Sequence, residues 1–286
     1  MKVAYYPGCA YETSAKDYDT SAKIVCKHLG IDLVEIPDWS CCGSTAAHST
    51  DHLLAVSLAA RNLALVEKMG LDTVTASCSA CYQRLALAHA ELAQDSKLLE
   101  QVNEITGYDY KATVKVNSIL EIIAGLDEEN IKAKVTKSME NFRIAPYYGC
   151  LLVRPSKVKI DDPENPTIMD RVLQTTGAQV LDWSHKTECC GASLSVSNED
   201  IVVALVSRII KAANVADANC IVTACALCHL NLDFYQSKIT QTTGAQKEMP
   251  IFYFTQILGL AMGFSRKDMG VDYNITDTSK LVKKVV

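Results

Sequence analysis

Apolar residues along the chain fall into two kinds of run, and the two kinds alternate. Lys2–Tyr6 (KVAYY) is short, apolar and β-rich, whereas SAKDYDTSAKIVCKHLG places its apolar residues at helical spacing and stops on Gly30. IDLVEI again has strand character, and SLAARNLALVEKMG predicts a helix with its own glycine stop at Gly70. DTVTAS predicts another strand and CYQRLALAHAELAQ another helix. Strands alternating with helical runs indicate βαβ units and a parallel sheet. An all-helical reading leaves the valine- and tyrosine-rich runs unexplained.

The same order is written twice. KVAYYPGC, ending at Cys9, answers RIAPYYGC, ending at Cys150, and LVEIPDWSCCGS answers QVLDWSHKTECCGAS. TVTASCSAC, ending at Cys81, answers CIVTACALC, ending at Cys228, and KVNSILEIIAGL answers PIFYFTQILGLAMG. Four matched blocks in register indicate a duplication, with units expected at residues 1–141 and 142–286. The second unit carries an insertion, RPSKVKIDDPENP, whose prolines and charges mark an exposed loop. DEENIKAKVTKSMEN predicts an exposed helix face closing the first unit. IFYFTQILGLAMGF, interrupted by Thr255, Gln256 and glycines, predicts a buried strand running into a helix. No run approaches the ~18 apolar residues of a spanning helix, so no direct membrane insertion is expected.

Composition changes this picture in one respect. At 286 residues, 49% hydrophobic and 21% charged, the chain has an ordinary globular balance with room for two cores. A net charge of -5 offers no footprint for nucleic acid. The N-terminal MKVAYYPGCAYE has neither an apolar h-region nor a cleavage site, so a cytoplasmic location is expected. The anomaly is twelve cysteines, which in a reducing compartment suit metal or redox chemistry better than structural disulfides.

Ten of them follow predicted strands: Cys9, Cys41, Cys42, Cys78 and Cys81 in the first unit, and Cys150, Cys189, Cys190, Cys225 and Cys228 in the second. In open α/β sheets ligands gather at the carboxyl ends of strands, so each set converges on one edge. Helix N-termini there also favour thiolate over thiol. Five thiols exceed the four of structural zinc or of an ordinary cubane cluster. Ferredoxin spacing is absent, and a thioredoxin-like C-x-x-C has no need of a doublet. The doublets, in DWSCCGST (Asp38–Thr45) and HKTECCGAS (His185–Ser193), suggest two thiolates directed at neighbouring metals of one cluster. Gly43 and Gly191 would let the backbone approach it. The count points to an iron–sulfur site with more than four thiolates, twice.

The pattern C-x31-CC-x35-C-x2-C of the first unit resembles the cysteine-rich CCG domain, and the second unit repeats it as C-x38-CC-x34-C-x2-C. The wider first gap contains the insertion. A chain with two complete copies and no ferredoxin module resembles the B subunits of heterodisulfide reductases from methanogenic archaea. That resemblance implies an α/β architecture of two tandem pseudo-symmetric Rossmann-like CCG domains, each a small parallel sheet flanked by helices. It implies two noncubane [4Fe-4S] clusters, one on each set of five cysteines, and reduction between them of the mixed disulfide of coenzyme M and coenzyme B. The implied partners are the ferredoxin-like C-type and the flavin-containing A-type subunits of those enzymes, within assemblies that can include a hydrogenase or formate dehydrogenase. No nucleotide-binding glycine fingerprint occurs, so neither nucleotide nor flavin is expected on this chain. Related two-copy chains of succinate:quinone, thiol:fumarate, glycolate and lactate oxidoreductases often lack cysteines in one copy or carry ferredoxin modules. An electron-transfer protein of that kind is the alternative, and a zinc-bound scaffold is a third reading.

Disulfide reduction takes two electrons and leaves two thiolates, so a duplicated one-electron site suits it: a disulfide has two ends. Its anionic arms call for local positive charge, and Arg154, Lys186 and His229, each near a cluster cysteine, are the candidates, against the simpler reading of solvated charges and a structural histidine. His48, His52 and His185 also lie near cluster cysteines, with a structural role the better reading of each. His28 and His89 fall in helical runs as surface or packing residues. Cys26 and Cys220 read as small buried hydrophobes. The pairs Tyr5–Tyr6 and Tyr147–Tyr148 end strands just before cysteines and read as core, although alternation would turn one of each pair toward the site.

Overall fold

The computed structural model describes residues 1–44, 47–243 and 248–283; Thr45, which closes the first doublet phrase, lies outside them. The first unit contains β1 (Lys2–Tyr6), α1 (Lys16–His28), β2 (Asp32–Glu35), α2 (Ala47–Thr50), α3 (His52–Lys68), β3 (Thr73–Ala76), α4 (Ser79–Leu92), α5 (Ser96–Thr106), β4 (Lys115–Ser118), α6 (Ile119–Ala124) and α7 (Glu128–Lys132). The second contains β5 (Arg143–Tyr147), α8 (Ile168–Gln174), β6 (Gln179–Val180), α9 (Glu199–Val215), β7 (Cys220–Thr223), α10 (Ala226–Phe234), α11 (Gln236–Thr243), β8 (Ile251–Tyr253) and α12 (Phe254–Ala261). A short α13 (Ser279–Val282) follows.

Each unit is a four-stranded, wholly parallel sheet, ordered β2-β1-β3-β4 in the first and β6-β5-β7-β8 in the second. The register repeats as well: Ala4 pairs with Val74 in one sheet, and Ala145 with Ile221 in the other. In this order the chain reverses direction across the sheet between the first and third strands of each unit, where α/β folds open a crevice at the carboxyl ends. The fourth strands pass into helices in the same way. Glu121 accepts the Ser118 N–H at 2.7 Å, and Gln256 accepts the Tyr253 N–H at 2.9 Å.

Three stretches differ from the sequence expectation. α3 starts at His52 rather than Ser57, because the Asp51 carboxylate caps the Leu54 N–H at 2.8 Å. α5 was not anticipated; it is amphipathic with one fully buried position, Val102, capped by Asp95 and closed by left-handed Gly107. The helix expected from Asp127 onward is only the five residues of α7. Beyond it the Thr136 and Lys137 N–H groups donate to the Ala261 carbonyl at 2.8 and 2.9 Å, which ties the segment to α12 instead.

The two units are packed on one another, not strung apart. A single hydrophobic cluster joins Val3, Tyr18 and Val25 of the first to Tyr253, Phe254 and Leu258 of the second. Tyr18 stacks on Tyr253 with ring centroids 4.0 Å apart and donates to the Ala224 carbonyl at 3.1 Å. The Ser21 and Thr255 hydroxyls meet at 2.7 Å.

Candidate metal centre

Strand ends position every cysteine of the two sets. Cys9 opens a 3-10 turn just after β1, and Cys150 stands at the same place after β5. The doublets Cys41–Cys42 and Cys189–Cys190 lie in the loops leaving β2 and β6. Cys78 and Cys225 are the N-cap residues of α4 and α10, and Cys81 and Cys228 sit one turn further in. Sequence-distant thiols thereby meet: Cys42 Sγ lies 3.4 Å from Cys81 Sγ, and Cys190 Sγ lies 3.5 Å from Cys228 Sγ.

These contacts share protons. Hydrogen bonding from Cys81 brings the Cys42 thiol down to about 7 and pushes Cys81 up. Cys228 does the same for Cys225, which falls to about 6, and Cys150 for Cys189, also to about 6. A metal takes the thiolate form of each of these sulfurs. The Gly43 and Gly191 N–H groups donate to Cys41 and Cys189 Sγ at 3.4 and 3.3 Å.

Two glycines besides those of the doublets also stand close to the cysteines. Gly43 and Gly191 have positive φ, but a Cβ on them would meet Leu58 at 3.3 Å and Leu205 at 3.1 Å, on the flanking helices α3 and α9. The tight positions are Gly8 and Gly149, where a Cβ would stand 3.0 Å from Cys81 Sγ and 2.8 Å from Cys228 Sγ. Both have positive φ, 77° and 67°. Tyr6 and Tyr147, three residues before the first cysteine of each set, are also more than core. Their hydroxyls donate to the Ser40 and Glu188 carbonyls at 2.7 and 2.6 Å, holding each doublet loop from beneath. The recurrence of a tyrosine at the same offset from Cys9 and Cys150 was the signal for this.

Among the described residues no three His, Cys, Asp or Glu converge as the ligands of one metal ion. Five thiols in each set, two of them in Sγ contact, suit donors spread over several metals of a soft, sulfur-bridged cluster. Gly8 and Gly149 let the Cys81 and Cys228 sulfurs pack against the backbone.

The model of the cysteine-rich CCG domain matches residues 3–86 and 144–233, which contain all ten cysteines. The chain belongs to the CCG family. Over nearly their whole lengths it is 35% identical to the 8-methylmenaquinol:fumarate reductase membrane anchor subunit of Wolinella succinogenes, covering 97% of this chain and 98% of that one. It is 32% identical to the B subunit of the ferredoxin/F(420)H(2)-dependent CoB-CoM heterodisulfide reductase of Methanosarcina acetivorans, covering 99% and 97%. The B subunit of the ferredoxin:CoB-CoM heterodisulfide reductase of Methanosarcina mazei is 30% identical over the same shares. The fold matches a crystal structure of a hypothetical protein from Helicobacter pylori with a TM-score of 0.79 at 14% identity. That match covers 97% of this chain, which spans about half (52%) of the longer one. The two-copy CCG chain is thus an iron–sulfur oxidoreductase component of the kind that forms multi-subunit complexes. No helix among its described residues is long and apolar enough to cross a membrane.

The cysteine edges of the two CCG copies adjoin. Ser79, next to Cys78, donates its hydroxyl to the carbonyl of Ala224, the residue before Cys225, at 3.4 Å. Tyr82 and Gln83 of α4 donate to the Val158 and Arg154 carbonyls at 2.7 and 2.6 Å, so the exposed insertion of the second copy is anchored to the first. At this junction opens a cavity of about 510 Å³, lined by Gln83, Cys150, Leu151, Arg154, Pro155 and Glu164 among others.

Of the three residues expected to meet substrate, only Arg154 lines that cavity. It is 45% exposed and paired with Glu164 at 2.7 Å. Lys186 is turned inward, 3% exposed, with its ammonium held by Asp170 at 2.8 Å, Asn165 at 3.0 Å and the Pro166 carbonyl at 3.2 Å. A buried lysine keeps its charge only with such partners, which corrects its expected role as a substrate cation. His229 is buried and stacked on Tyr253 at 4.0 Å, and burial lowers its pKa, which works against a cationic role; its Nε2 has no hydrogen-bond partner. His52 pairs with Glu91 at 3.0 Å, His185 with Ser184 at 2.8 Å, and His48 is exposed. Cys26 and Cys220 are wholly buried, and desolvation pushes Cys26 up to about 12 and raises Cys220.

Proposed function

We propose that this chain is the catalytic component of a disulfide reductase, acting on a mixed disulfide of the coenzyme M–coenzyme B type. The observation that carries the reading is that both copies keep five cysteines and adjoin at their cysteine edges, with Ser79, beside Cys78, bonded to the Ala224 carbonyl beside Cys225. A one-sided relay has no need of two complete sets. Cys9, Cys41, Cys42, Cys78 and Cys81 would hold one noncubane [4Fe-4S] cluster, and Cys150, Cys189, Cys190, Cys225 and Cys228 the other. Each cluster, when bound, would supply one electron and a point of attachment for one sulfur. Overall, the disulfide takes up two electrons and two protons to give two thiols. The electrons come from a low-potential iron–sulfur or flavin partner, for which the ferredoxin-like C-type and flavin-containing A-type subunits of heterodisulfide reductase are the models.

The chain's own residues set the approach. The cavity beside Cys150 draws Gln83 from one copy and Arg154 from the other, so a substrate there touches both. Arg154 can exchange Glu164 for a substrate anion because the pair is exposed and therefore weak. Neither Lys186 nor His229 supplies a second cation, so a positively charged mouth rests on Arg154 alone among the three.

A second reading is favoured by the 35% identity to a component of a fumarate reductase named for 8-methylmenaquinol. There the chain transfers electrons within a quinol-linked complex. Anaerobic assay separates the two: the coenzyme M–coenzyme B disulfide with a reduced viologen donor should yield both thiols. Turnover of a menaquinol analogue with no disulfide reduction would establish the second reading instead. Zinc-rich protein free of sulfide would exclude both and leave the scaffold reading.

A further inference from the structure

The two cysteine sets are related by the repeat, but their electrostatic surroundings are not. Three residues past the second cysteine of each C-x-x-C, on the same helical face, stand Arg84 and Asn231. Asn231 shows where this position points: its amide donates to the Cys190 carbonyl at 3.0 Å and accepts the Ser195 hydroxyl at 3.2 Å. Arg84 occupies the matching place in the first copy, one helical turn past Cys81, whose Sγ lies 3.4 Å from that of Cys42 in the first doublet. Its Nε is buried and has no hydrogen-bond partner. Arg84 enters no ion pair among the described residues, whereas Arg154 and Lys186 beside the second set are neutralised by Glu164 and Asp170.

Two further differences act in the same direction. The exposed carboxylate Glu188 immediately precedes Cys189, where the first copy has uncharged Ser40 before Cys41. Cys9 is exposed, while its counterpart Cys150 is half-buried, so water reaches the first set more freely. One difference opposes them: the Ser79 hydroxyl of the first copy stands beside the second set, whereas its counterpart in the second copy, Ala226, has no hydroxyl to offer the first set. A neutral hydroxyl carries a fraction of a charge, and its single hydrogen is directed at the Ala224 carbonyl. A full, half-buried guanidinium outweighs it. Cluster potentials follow local charge, hydrogen bonds to sulfur and solvent exposure.

We propose that Arg84 makes the first site the higher-potential one of the pair, so that the first electron delivered to the chain rests in the first copy. The inference depends on the iron–sulfur reading above but not on the identity of the substrate.

The test is an EPR-monitored redox titration of the anaerobically purified full chain, with iron and sulfide quantified first. The signal abolished by Cys42→Ser identifies the first site, and it should be the one reduced at the higher potential. Arg84→Gln should lower that midpoint by about tenfold in the one-electron equilibrium constant, ~59 mV, and leave the other in place. Arg84→Lys should retain the wild-type value. Glu188→Gln should raise the second midpoint by a smaller amount, which tests the asymmetry even if Arg84→Gln loads its first site poorly. A first site that titrates below the second, or a gap unmoved by both variants in loaded protein, overturns the proposal and leaves the iron–sulfur reading standing. Protein without iron and sulfide would overturn that reading itself.

Discussion

A Cβ on Gly149 would lie 2.8 Å from the Sγ of Cys228, closer than real Cβ atoms come to a neighbour. Gly8 and Cys81 repeat the relationship at 3.0 Å. Gly149→Ala should therefore displace Cys228 and add left-handed backbone strain of about 1 kcal/mol. The expected result is loss of about half the bound iron, with the first copy's EPR signal intact. Gly8→Ala should affect the first copy, less severely. Full iron in both variants would show that this close packing is not needed.

The two sets share no cysteine, and each closes its own pair, Cys42 with Cys81 and Cys190 with Cys228. Cys42→Ser should disturb one cluster and spare most of the other, and Cys190→Ser should do the reverse. Wild-type protein should hold roughly eight iron atoms with matching sulfide, as two four-iron clusters require. Loss of all iron from either single change, in a chain still folded by circular dichroism, would indicate one shared site.

Tyr147 and Tyr6 hold the doublet loops through carbonyls that immediately precede the cysteines. Tyr147→Phe leaves the Glu188 carbonyl without its donor and should cost about 1 kcal/mol in chemical denaturation. Faster loss of iron to a chelator should accompany it, confined to the second copy. An unchanged release rate would reduce these tyrosines to packing residues.

Arg154 is the one predicted substrate cation that the fold leaves accessible. Arg154→Ala should raise KM for the disulfide about tenfold while cluster spectra stay as in the wild type. Lys186→Ala, by contrast, would strand the buried Asp170 carboxylate and should destabilise the chain by about 3 kcal/mol. Equal effects of the two variants on KM, with stability unchanged, would restore Lys186 as a substrate ligand.

The sequence alone determined the alternation of strands and helices, the duplication and the grouping of ten cysteines at strand ends. Those properties are local: side-chain periodicity records which face of an element is buried, and cysteines placed just after strands must emerge at one sheet edge. It did not determine what lies across from each residue. Lys186 could be a substrate cation or a solvated charge until the fold brings Asp170 of α8 against it, and His229 could bind substrate or be structural until Tyr253 covers its ring. The glycine after each doublet was legible as a close approach to the cysteines. Gly8 and Gly149 were not, because Cys81 and Cys228, some 70 residues and more downstream, are packed onto them only in the fold. Only the tertiary structure decided that the two cysteine edges adjoin, with Ser79 beside Cys78 reaching the Ala224 carbonyl beside Cys225, because two matched copies can pack in many relative orientations. The orientation is selected by long-range contacts such as Tyr18 on Tyr253, which no pattern within either copy encodes.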